Sequence, residues 1–216
     1  NELTPGILTP VPKAGAGSAI TGSVEFVGKG DANYLTIANN SDHNFDTGDF
    51  TIEMWFRTST TLATHTLISK YGSPGSYNGW YVTLNSSGTK VQVSLFDGSS
   101  TQQDTSGGPD VNDGSWHHFA ISRSGSSLKL FVDGVEVASA TNSYDITSTS
   151  DVRISGYTGN NRDWDGFISN LRIVKGTALY TDDFIPPTRE LKKVPGTVLL
   201  CCQDPDSPLT EATGKT

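Results

Sequence analysis

Hydrophobic and polar residues alternate with period two along much of the chain, most clearly in the stretch 113–137. Two alternating runs in this stretch are separated by a Ser-Gly-Ser-Ser turn at 124–127, and Asp133-Gly134 opens a second, tighter turn. An Asp-Gly pair between alternating hydrophobic residues is a strong hairpin signal, because a primed two-residue turn needs positive φ. The pattern therefore predicts a three-strand antiparallel meander that is buried on one face.

The two turns also predict which residues face one another across the meander. The predicted facing pairs are Val132 with Val135, Leu130 with Val137, Arg123 with Leu128, Ile121 with Leu130, and Phe119 with Val132. The expected core face consists of Phe119, Ile121, Leu128, Leu130, Val132, Val135 and Val137. The opposite face carries Trp116, His118, Ser122, Lys129, Phe131 and Glu136.

The same alternation recurs elsewhere and predicts further strands at 24–27, 34–38, Phe50–Arg57, Thr66–Tyr71, 80–84, 91–96, 151–156, 167–174 and 198–202. Bulky residues on both sides of Phe50–Arg57 indicate a central strand whose second face is not simply solvated. The segments 80–84 and 91–96 form a predicted hairpin. Its expected inward residues are Trp80, Val82, Leu84, Val91, Val93 and Leu95. The polar stretch 97–114 is long for a loop, so we expect a short strand in it at 101–105.

About a dozen short strands without a convincing amphipathic helix predict an all-β fold, a two-sheet antiparallel sandwich of the jelly-roll type. Residues 1–21 contain three prolines and a Gly-Ala-Gly-Ser run, typical of an extended linker. The sandwich is expected over 22–188. Residues 189–216 are expected to be a C-terminal extension with one strand that leads out of the domain, and a helical turn is expected at 178–184.

Composition limits the range of functions. The chain has 216 residues and a net charge of −8, which suits one sandwich and argues against non-specific binding to nucleic acid or an anionic membrane. No apolar run is long enough for a membrane span, and no signal peptide is recognised. Because the chain starts at Asn1, we interpret it as a processed or excised piece of a larger protein. Neighbouring Cys201 and Cys202 cannot form an ordinary disulfide, so we expect assembly in a reducing cytoplasm.

The motif D-G-x-W-H-H at 113–118, followed by L-x-L-F-V-D-G-V at 128–135, resembles laminin-G-like domains of the concanavalin A-like lectin/glucanase superfamily. The resemblance includes FTIEMWFR at Phe50–Arg57, LISKY at 67–71 and FISNLRIVK at 167–175, and it covers roughly 23–187. It implies the same sandwich but specifies no ligand. The segment 176–188 resembles the tail of such modules in phage virion proteins.

The superfamily includes glycoside hydrolases, which need two carboxylates directed into one cleft. The comparable strand here has only Glu53, which we expect to be a paired sheet residue, with Arg57 as its partner. His117 and His118 are adjacent on a strand and therefore point to opposite faces. We predict a protein that is not an enzyme. The alternative, a degenerate glycosidase, predicts a second carboxylate about 5–10 Å from Glu53.

The resemblance also implies calcium, bound at the rim of the sandwich by oxygen ligands. The candidate ligands in the rim loops are Asn78, Asp97, Asp163 and Asp165. Asn78 stands where related domains commonly have Asp, and a separate structural ion could use Asp31 with Asp165. Solvated loops without any metal are an equal alternative, and no other cofactor is expected.

A sugar site needs aromatic faces for stacking, with amides or carboxylates nearby for hydroxyl groups. The candidate ligand-binding residues lie in the same rim loops: Tyr71, Tyr77, Asn78, Tyr157, Asn160, Asn161, Arg162, Asp163 and Trp164. Trp164 is the predicted stacking residue. In the alternative, Trp164 folds over a sheet edge and the tyrosines pack locally.

Together these features predict a non-catalytic binding or adhesion module of a virion structural protein, such as a phage fibre, tail or capsid decoration, that recognises a host-surface glycan. Its partners would be other virion or surface proteins, within a homo-oligomer. One alternative is a purely architectural virion domain, with Trp55, Trp116 and Phe131 covered by neighbouring subunits or by flanking segments. A second is a secreted or cell-surface bacterial module that binds carbohydrate or mediates adhesion.

Overall fold

The computed structural model describes residues 5–7, 20, 22–28, 33–72, 77–99, 102–157 and 162–204. Within these ranges the secondary structure is strand, apart from one 3₁₀ turn at Ser41–His43. The strands are β1 Pro5–Ile7, β2 Gly22–Val27, β3 Leu35–Ile37, β4 Phe50–Arg57, β5 Thr66–Tyr71, β6 Asn78–Leu84, β7 Val91–Asp97, β8 Gln102–Ser106, β9 Trp116–Ser124, β10 Ser127–Val132, β11 Val135–Thr141, β12 Val152–Ile154, β13 Asp165–Lys175 and β14 Thr197–Cys201. None of the helical structure in the described ranges is long and apolar enough to cross a membrane.

The strands form two antiparallel sheets that pack face to face. One sheet has eight strands in the order β1-β2-β13-β4-β9-β10-β11, with β14 also paired to β13. The other has six strands in the order β3-β12-β5-β6-β7-β8. Alternate residues of both sheets form one continuous apolar core, in which Phe56, Trp80 and Phe119 are fully buried. The predicted two-sheet antiparallel sandwich is confirmed.

The meander β9-β10-β11 has the predicted register at one hairpin and a shifted register at the other. The three predicted pairs between β9 and β10 are present, and Val132 lies opposite Val135 across a turn in which Asp133 and Gly134 have φ of 52° and 81°. A bulge between Leu130 and Phe131 then places Leu130 opposite Ala138 rather than Val137. The predicted core position of Val135 is wrong, because this side chain is 54% exposed.

The short strand predicted inside the long polar loop is present as β8, and it pairs with β7. The preceding hairpin β6-β7 has the predicted inward residues, with Trp80 opposite Leu95 and Val82 opposite Val93. Pairing with β8 gives β7 a neighbour on each side. The six-stranded sheet therefore extends to Gln102–Ser106.

The expected C-terminal strand is present as β14, which pairs with β13. After this strand, Gln203 lies beside the start of β2, where a Cβ atom on Gly22 would collide with its carbonyl group. Residues 205–216, which were expected to lead out of the domain, lie outside the described residues. The expected helical turn at 178–184 is absent, and this segment has bends without a helix.

Residues 176–187, which we call the strap, lie across the outer face of the eight-stranded sheet. The rings of Tyr180 and Phe184 stack with centroids 3.7 Å apart and contact Phe131 and His118 beneath them. At its end, the indole Nε1 of Trp55 donates a hydrogen bond to the Pro187 carbonyl at 3.0 Å. The strap, a flanking segment of the same chain, thus covers outward-facing aromatic residues of this sheet. The sequence left open whether flanking segments or neighbouring subunits would do so.

Candidate functional site

The carboxylate of Glu53 is fully buried beneath the strap, at the centre of a polar network. Arg172 donates to its Oε1 through Nε at 2.9 Å and Nη2 at 2.5 Å, and the Tyr180 hydroxyl donates to its Oε2 at 2.8 Å. The Nε2 of His118 lies 3.4 Å from Oε2. The partner of Glu53 is therefore Arg172, which corrects the expected Arg57. Burial raises the pKa of Glu53, but His118, Arg172 and Tyr180 outweigh it and hold this pKa below its usual range.

A second carboxylate is not among the groups that contact Glu53 within the described part of the chain. The neighbouring histidines lie on opposite faces of β9, as the strand geometry predicts. His118 is covered by the strap, whereas the His117 ring lies between Asp133, at 2.8 Å from Nδ1, and Asp113, at 3.2 Å from Nε2. These ionisable groups bind one another, and the absence of catalysis stays a prediction.

The structure places the predicted stacking residue, Trp164, in the core. Its side chain is 0% exposed, its ring contacts Phe56 edge-on at a centroid distance of 5.8 Å, and its backbone N–H donates to Ser155 Oγ. A ring in this position has no surface on which a sugar can stack, so the prediction for Trp164 is wrong. The alternative placed Trp164 over a sheet edge with the tyrosines packed locally. The ring lies in the core rather than over an edge, and Tyr71 and Tyr157 do pack against each other.

The tyrosines of the rim loops lie on the outer face of the six-stranded sheet, where two cross-strand rows run side by side. The first row consists of Arg153, Ser69, Tyr81, Ser94 and Asp104. The second row consists of Tyr71, Gly79, Phe96 and Gln102. Because Gly79 has no side chain, the rings of Tyr71 and Phe96 meet across it, with centroids 4.6 Å apart.

Tyr157 reaches these rows from the loop after β12. Its ring stacks on Tyr81 with centroids 5.6 Å apart and meets Tyr71 edge-on at 5.5 Å. We call Tyr71, Tyr81, Phe96 and Tyr157 the tyrosine cluster. Burial raises the pKa of the Tyr71 and Tyr81 hydroxyls, and so both stay protonated and able to donate hydrogen bonds at neutral pH.

A polar strip formed by Gln92, Ser94, Gln102 and Asp104 borders the tyrosine cluster. The Ser94 hydroxyl donates to Asp104 Oδ1 at 2.5 Å, and Gln102 Nε2 donates to the same oxygen at 2.6 Å. Gln102 and Asp104 are exposed, so their remaining donors and acceptors face solvent. Amide and carboxylate groups beside aromatic rings are the combination that hydrogen-bonds sugar hydroxyls.

The predicted site residues separate into groups in the structure. Tyr71, Tyr157 and Arg162 come together at the tyrosine cluster, with the Arg162 guanidinium 5.6 Å from the Tyr157 ring. Tyr77 lies at its edge, 6.4 Å from Phe96 and 36% exposed. Asp163 is buried, and its electrostatic neighbours are Arg153 and His65. The predicted Asn160 and Asn161 lie outside the described residues.

Four residues of this surface were missed by the sequence analysis: Tyr81, Phe96, Gln102 and Asp104. The alternation contained the signal for the first two. Once Trp80 and Leu95 are assigned to the core, period two places their neighbours Tyr81 and Phe96 on the outer face. For Gln102 and Asp104 no local signal exists, because their position depends on the pairing of β8 with β7.

The candidate calcium ligands come together only in part. Asn78 and Asp97 lie directly opposite each other on β6 and β7. Asp165 lies on β13 next to Gly28, and Asp31 lies outside the described residues. In the described ranges, no three His, Cys, Asp or Glu side chains are grouped so that they could hold a metal ion. The Asn78–Asp97 pair offers two oxygen ligands of the kind calcium prefers, and calcium binding stays a prediction.

Comparisons with known proteins agree with this fold. The family model for the concanavalin A-like lectin/glucanases superfamily matches residues 29–182. The comparison with curated proteins finds no match. A Bacteroides ovatus protein assigned as carbohydrate-binding superposes with a TM-score of 0.66 at 16% identity, over 87% of this chain and 55% of that one. This chain therefore spans about half the length of that protein.

Two further structures share the sandwich. The heptameric SAP-like pentraxin of Limulus polyphemus has a TM-score of 0.57 at 16% identity, over 74% of this chain and 77% of that one. The CBM40 of the Ruminococcus gnavus IT-sialidase has a TM-score of 0.58 at 15% identity, over 73% and 91%. Such low identities establish likeness of fold alone. From the family match, the chain belongs to the laminin-G-like domains of the concanavalin A-like lectin/glucanase superfamily.

Proposed function

We propose that this domain is a non-catalytic carbohydrate-binding module whose ligand lies on the outer face of the six-stranded sheet. The observation that carries the proposal is the contact between the tyrosine cluster and the polar strip on that face. The four rings of the cluster are only 1–8% exposed and form the base of this face, so Tyr77 at its edge, 36% exposed, is the ring that offers apolar surface to the C–H face of a sugar. The Gln102 amide and the Asp104 carboxylate supply partners for the hydroxyl groups. The outer face of the eight-stranded sheet offers less surface for a ligand, because the strap covers it.

The names of two structural relatives support a carbohydrate ligand. The Bacteroides ovatus protein is assigned as carbohydrate-binding, and the Ruminococcus gnavus domain is a CBM40. Both come from bacteria, which favours the secreted or cell-surface bacterial module over the virion setting. The Limulus pentraxin is heptameric, which supports only the expected homo-oligomer. These relatives give no support for the virion setting or for virion protein partners. All three stay predictions.

Adjacent glutamines on β8 provide a matched test. Gln102 lies in the polar strip, whereas Gln103 points to the other side and donates from Nε2 to the Thr141 carbonyl at 3.0 Å. We expect Gln102→Ala to weaken glycan binding about fivefold or more, as for one lost hydrogen bond, and Gln103→Ala to leave binding unchanged. The measurement is a glycan array followed by calorimetry on the glycans that bind. Binding that is indifferent to Gln102, or equally sensitive to both residues, would contradict this site.

A further inference from the structure

The outer face of the six-stranded sheet is electrostatically asymmetric at the tyrosine cluster. Asp104 lies in the same cross-strand row as Tyr81, and on the other side the Arg162 guanidinium lies 5.6 Å from the Tyr157 ring, which stacks on Tyr81. Asp104 is held in the polar strip by Ser94 and Gln102. Arg162 comes from the loop before β13, which is fixed to the sheet by the hydrogen bond from Thr66 N–H to the Arg162 carbonyl at 2.8 Å.

In the described residues, Arg162 contacts an aromatic ring rather than an acidic side chain. Its guanidinium contacts the Tyr157 ring, and in the described residues it forms no ion pair. Two buried arginines have closer polar partners than Arg162 has. Arg172 is paired with Glu53, and Arg123, which also forms no ion pair within the described ranges, donates hydrogen bonds to backbone carbonyls and to Asn142. The neighbouring carboxylate of Asp163 interacts with Arg153 and His65 instead.

We infer that the glycan bound at this face carries a carboxylated sugar, and that Arg162 binds its carboxylate; this inference rests on the proposed function. A guanidinium presents paired N–H donors that match the two oxygens of a carboxylate. Arg162 is half-buried beside an aromatic ring, so its attraction for an anion is screened less than that of a fully exposed cation.

Asp104 then sets the direction in which the glycan lies. A sugar carboxylate placed at the polar strip would be repelled by the Asp104 carboxylate, whereas neutral sugar hydroxyl groups can donate hydrogen bonds to Asp104. The acidic sugar therefore occupies the Arg162 side, and neutral sugars of the same glycan reach the Gln102 side. General attraction cannot explain such binding, because the chain carries a net charge of −8 and repels anions as a whole.

The test compares oligosaccharides that end in a hexuronic acid or in a nonulosonic acid, each with its carboxyl-reduced counterpart. We expect the parent protein to bind the carboxylated form of at least one pair about tenfold or more tightly, as a charge-assisted hydrogen-bonded pair implies. Arg162→Gln should remove this preference while binding the reduced form as the parent does. Arg162→Lys keeps the charge without the paired donors, and it should retain only part of the preference.

Arg189→Gln is the matched control, because it removes the same charge from an exposed position on the C-terminal segment and should leave the preference intact. Circular dichroism spectra and melting temperatures of each variant verify folding. Equal binding of carboxylated and reduced forms, or a preference that survives Arg162→Gln, would overturn the inference while leaving glycan binding in place. Failure of every glycan, neutral or acidic, to bind would overturn the proposed function and this inference together.

Discussion

At the scale of single residues, Trp164 shows how a loop residue becomes part of the core. Its ring packs against Phe56, and period two extended backwards from the buried Ile168 through Gly166 places it on the inner face. The aromatic residues of this polar loop suggested a sugar site. The alternation of β13, extended back to residue 164, instead predicts that the Trp164 side chain points inward. Tyr157, in the same loop, has no such strand relation and lies on the outer face.

We predict that Trp164→Ala lowers the free energy of unfolding by about 3–5 kcal/mol, because it leaves a cavity in the core. Urea denaturation monitored by circular dichroism measures the change, and Trp164→Phe should cost less because it fills more of the space. At temperatures where the variants are folded, glycan binding should persist. Loss of binding with unchanged stability would instead restore Trp164 as a ligand residue.

His117 joins two turns, because its ring lies between Asp133 and Asp113. Burial lowers the pKa of this imidazole, but the hydrogen bonds and charges of Asp133 and Asp113 outweigh it, so the pKa is raised above its usual value of about 6.5. Because its pKa is raised in the folded state, protonated His117 contributes to the free energy of unfolding. This contribution is complete below about pH 6.5 and is lost as pH rises through the folded-state pKa.

The stability advantage of the parent protein over His117→Gln should therefore shrink from pH 6 towards alkaline pH. Urea titrations at a series of pH values measure it. Asp113→Asn retains the contact with Asp133 but removes one cause of the raised pKa of His117, so the advantage should be smaller and its loss should be complete at a lower pH. An advantage that grew with pH would contradict the assigned protonation state.

At the scale of elements, the hairpins could be predicted because each depends on residues close in sequence. The Asp133-Gly134 turn and the inward residues of β6 and β7 follow from local chemistry and period two. The bulge at Leu130 and the course of the strap could not. Tyr180 and Phe184 are four residues apart, a spacing typical of a helical turn, but they stack through bends because the sheet beneath them supplies Phe131 and His118.

The strap is tied down by the Tyr180 hydroxyl, which donates to Glu53. Burial and the neighbouring carboxylate raise the pKa of this hydroxyl, so it remains a donor. Tyr180→Phe should lower the free energy of unfolding by about 1–3 kcal/mol, since a buried carboxylate loses a hydrogen bond. It should also speed amide hydrogen exchange in residues 176–187. Tyr144→Phe is the control and should change stability by less than about 0.5 kcal/mol.

At the scale of the whole molecule, the sandwich could be predicted and the binding surface only in part. Sheet architecture follows from alternation repeated along the chain. The candidate site instead combines β5, β6, β7 and β8 with Tyr157 and Arg162 from two sides of a distant loop. Its members are neighbours only after both sheets have paired. The sequence therefore identified Tyr157 in the loop and Tyr71 at the end of β5, and it missed Tyr81 and Phe96 within β6 and β7.

A calcium ion at Asn78 and Asp97 would stabilise the folded chain as a whole, because it would bind the native state and not the unfolded one. At a calcium concentration one hundred times the dissociation constant, the free energy of unfolding rises by about 2.7 kcal/mol. We predict a higher melting temperature in calcium than in chelator for the parent protein, and no such difference for Asp97→Ala. Equal melting temperatures of the parent protein in calcium and in chelator would contradict calcium binding.

The meeting of Gly22 and Gln203 beside β13 has a consequence for engineering. Gly22 at the start of β2 and Gln203 after β14 lie close together, so a few residues could link them in a chain cut to 22–203, with a new start opened at the Gly125-Ser126 turn. Such a circular permutant would keep the strand pairings among β2 to β14, but β10 to β14 would be synthesised before β2 to β9. The same geometry would let the domain be inserted into a loop of a host protein, because both ends of the insert lie at one place.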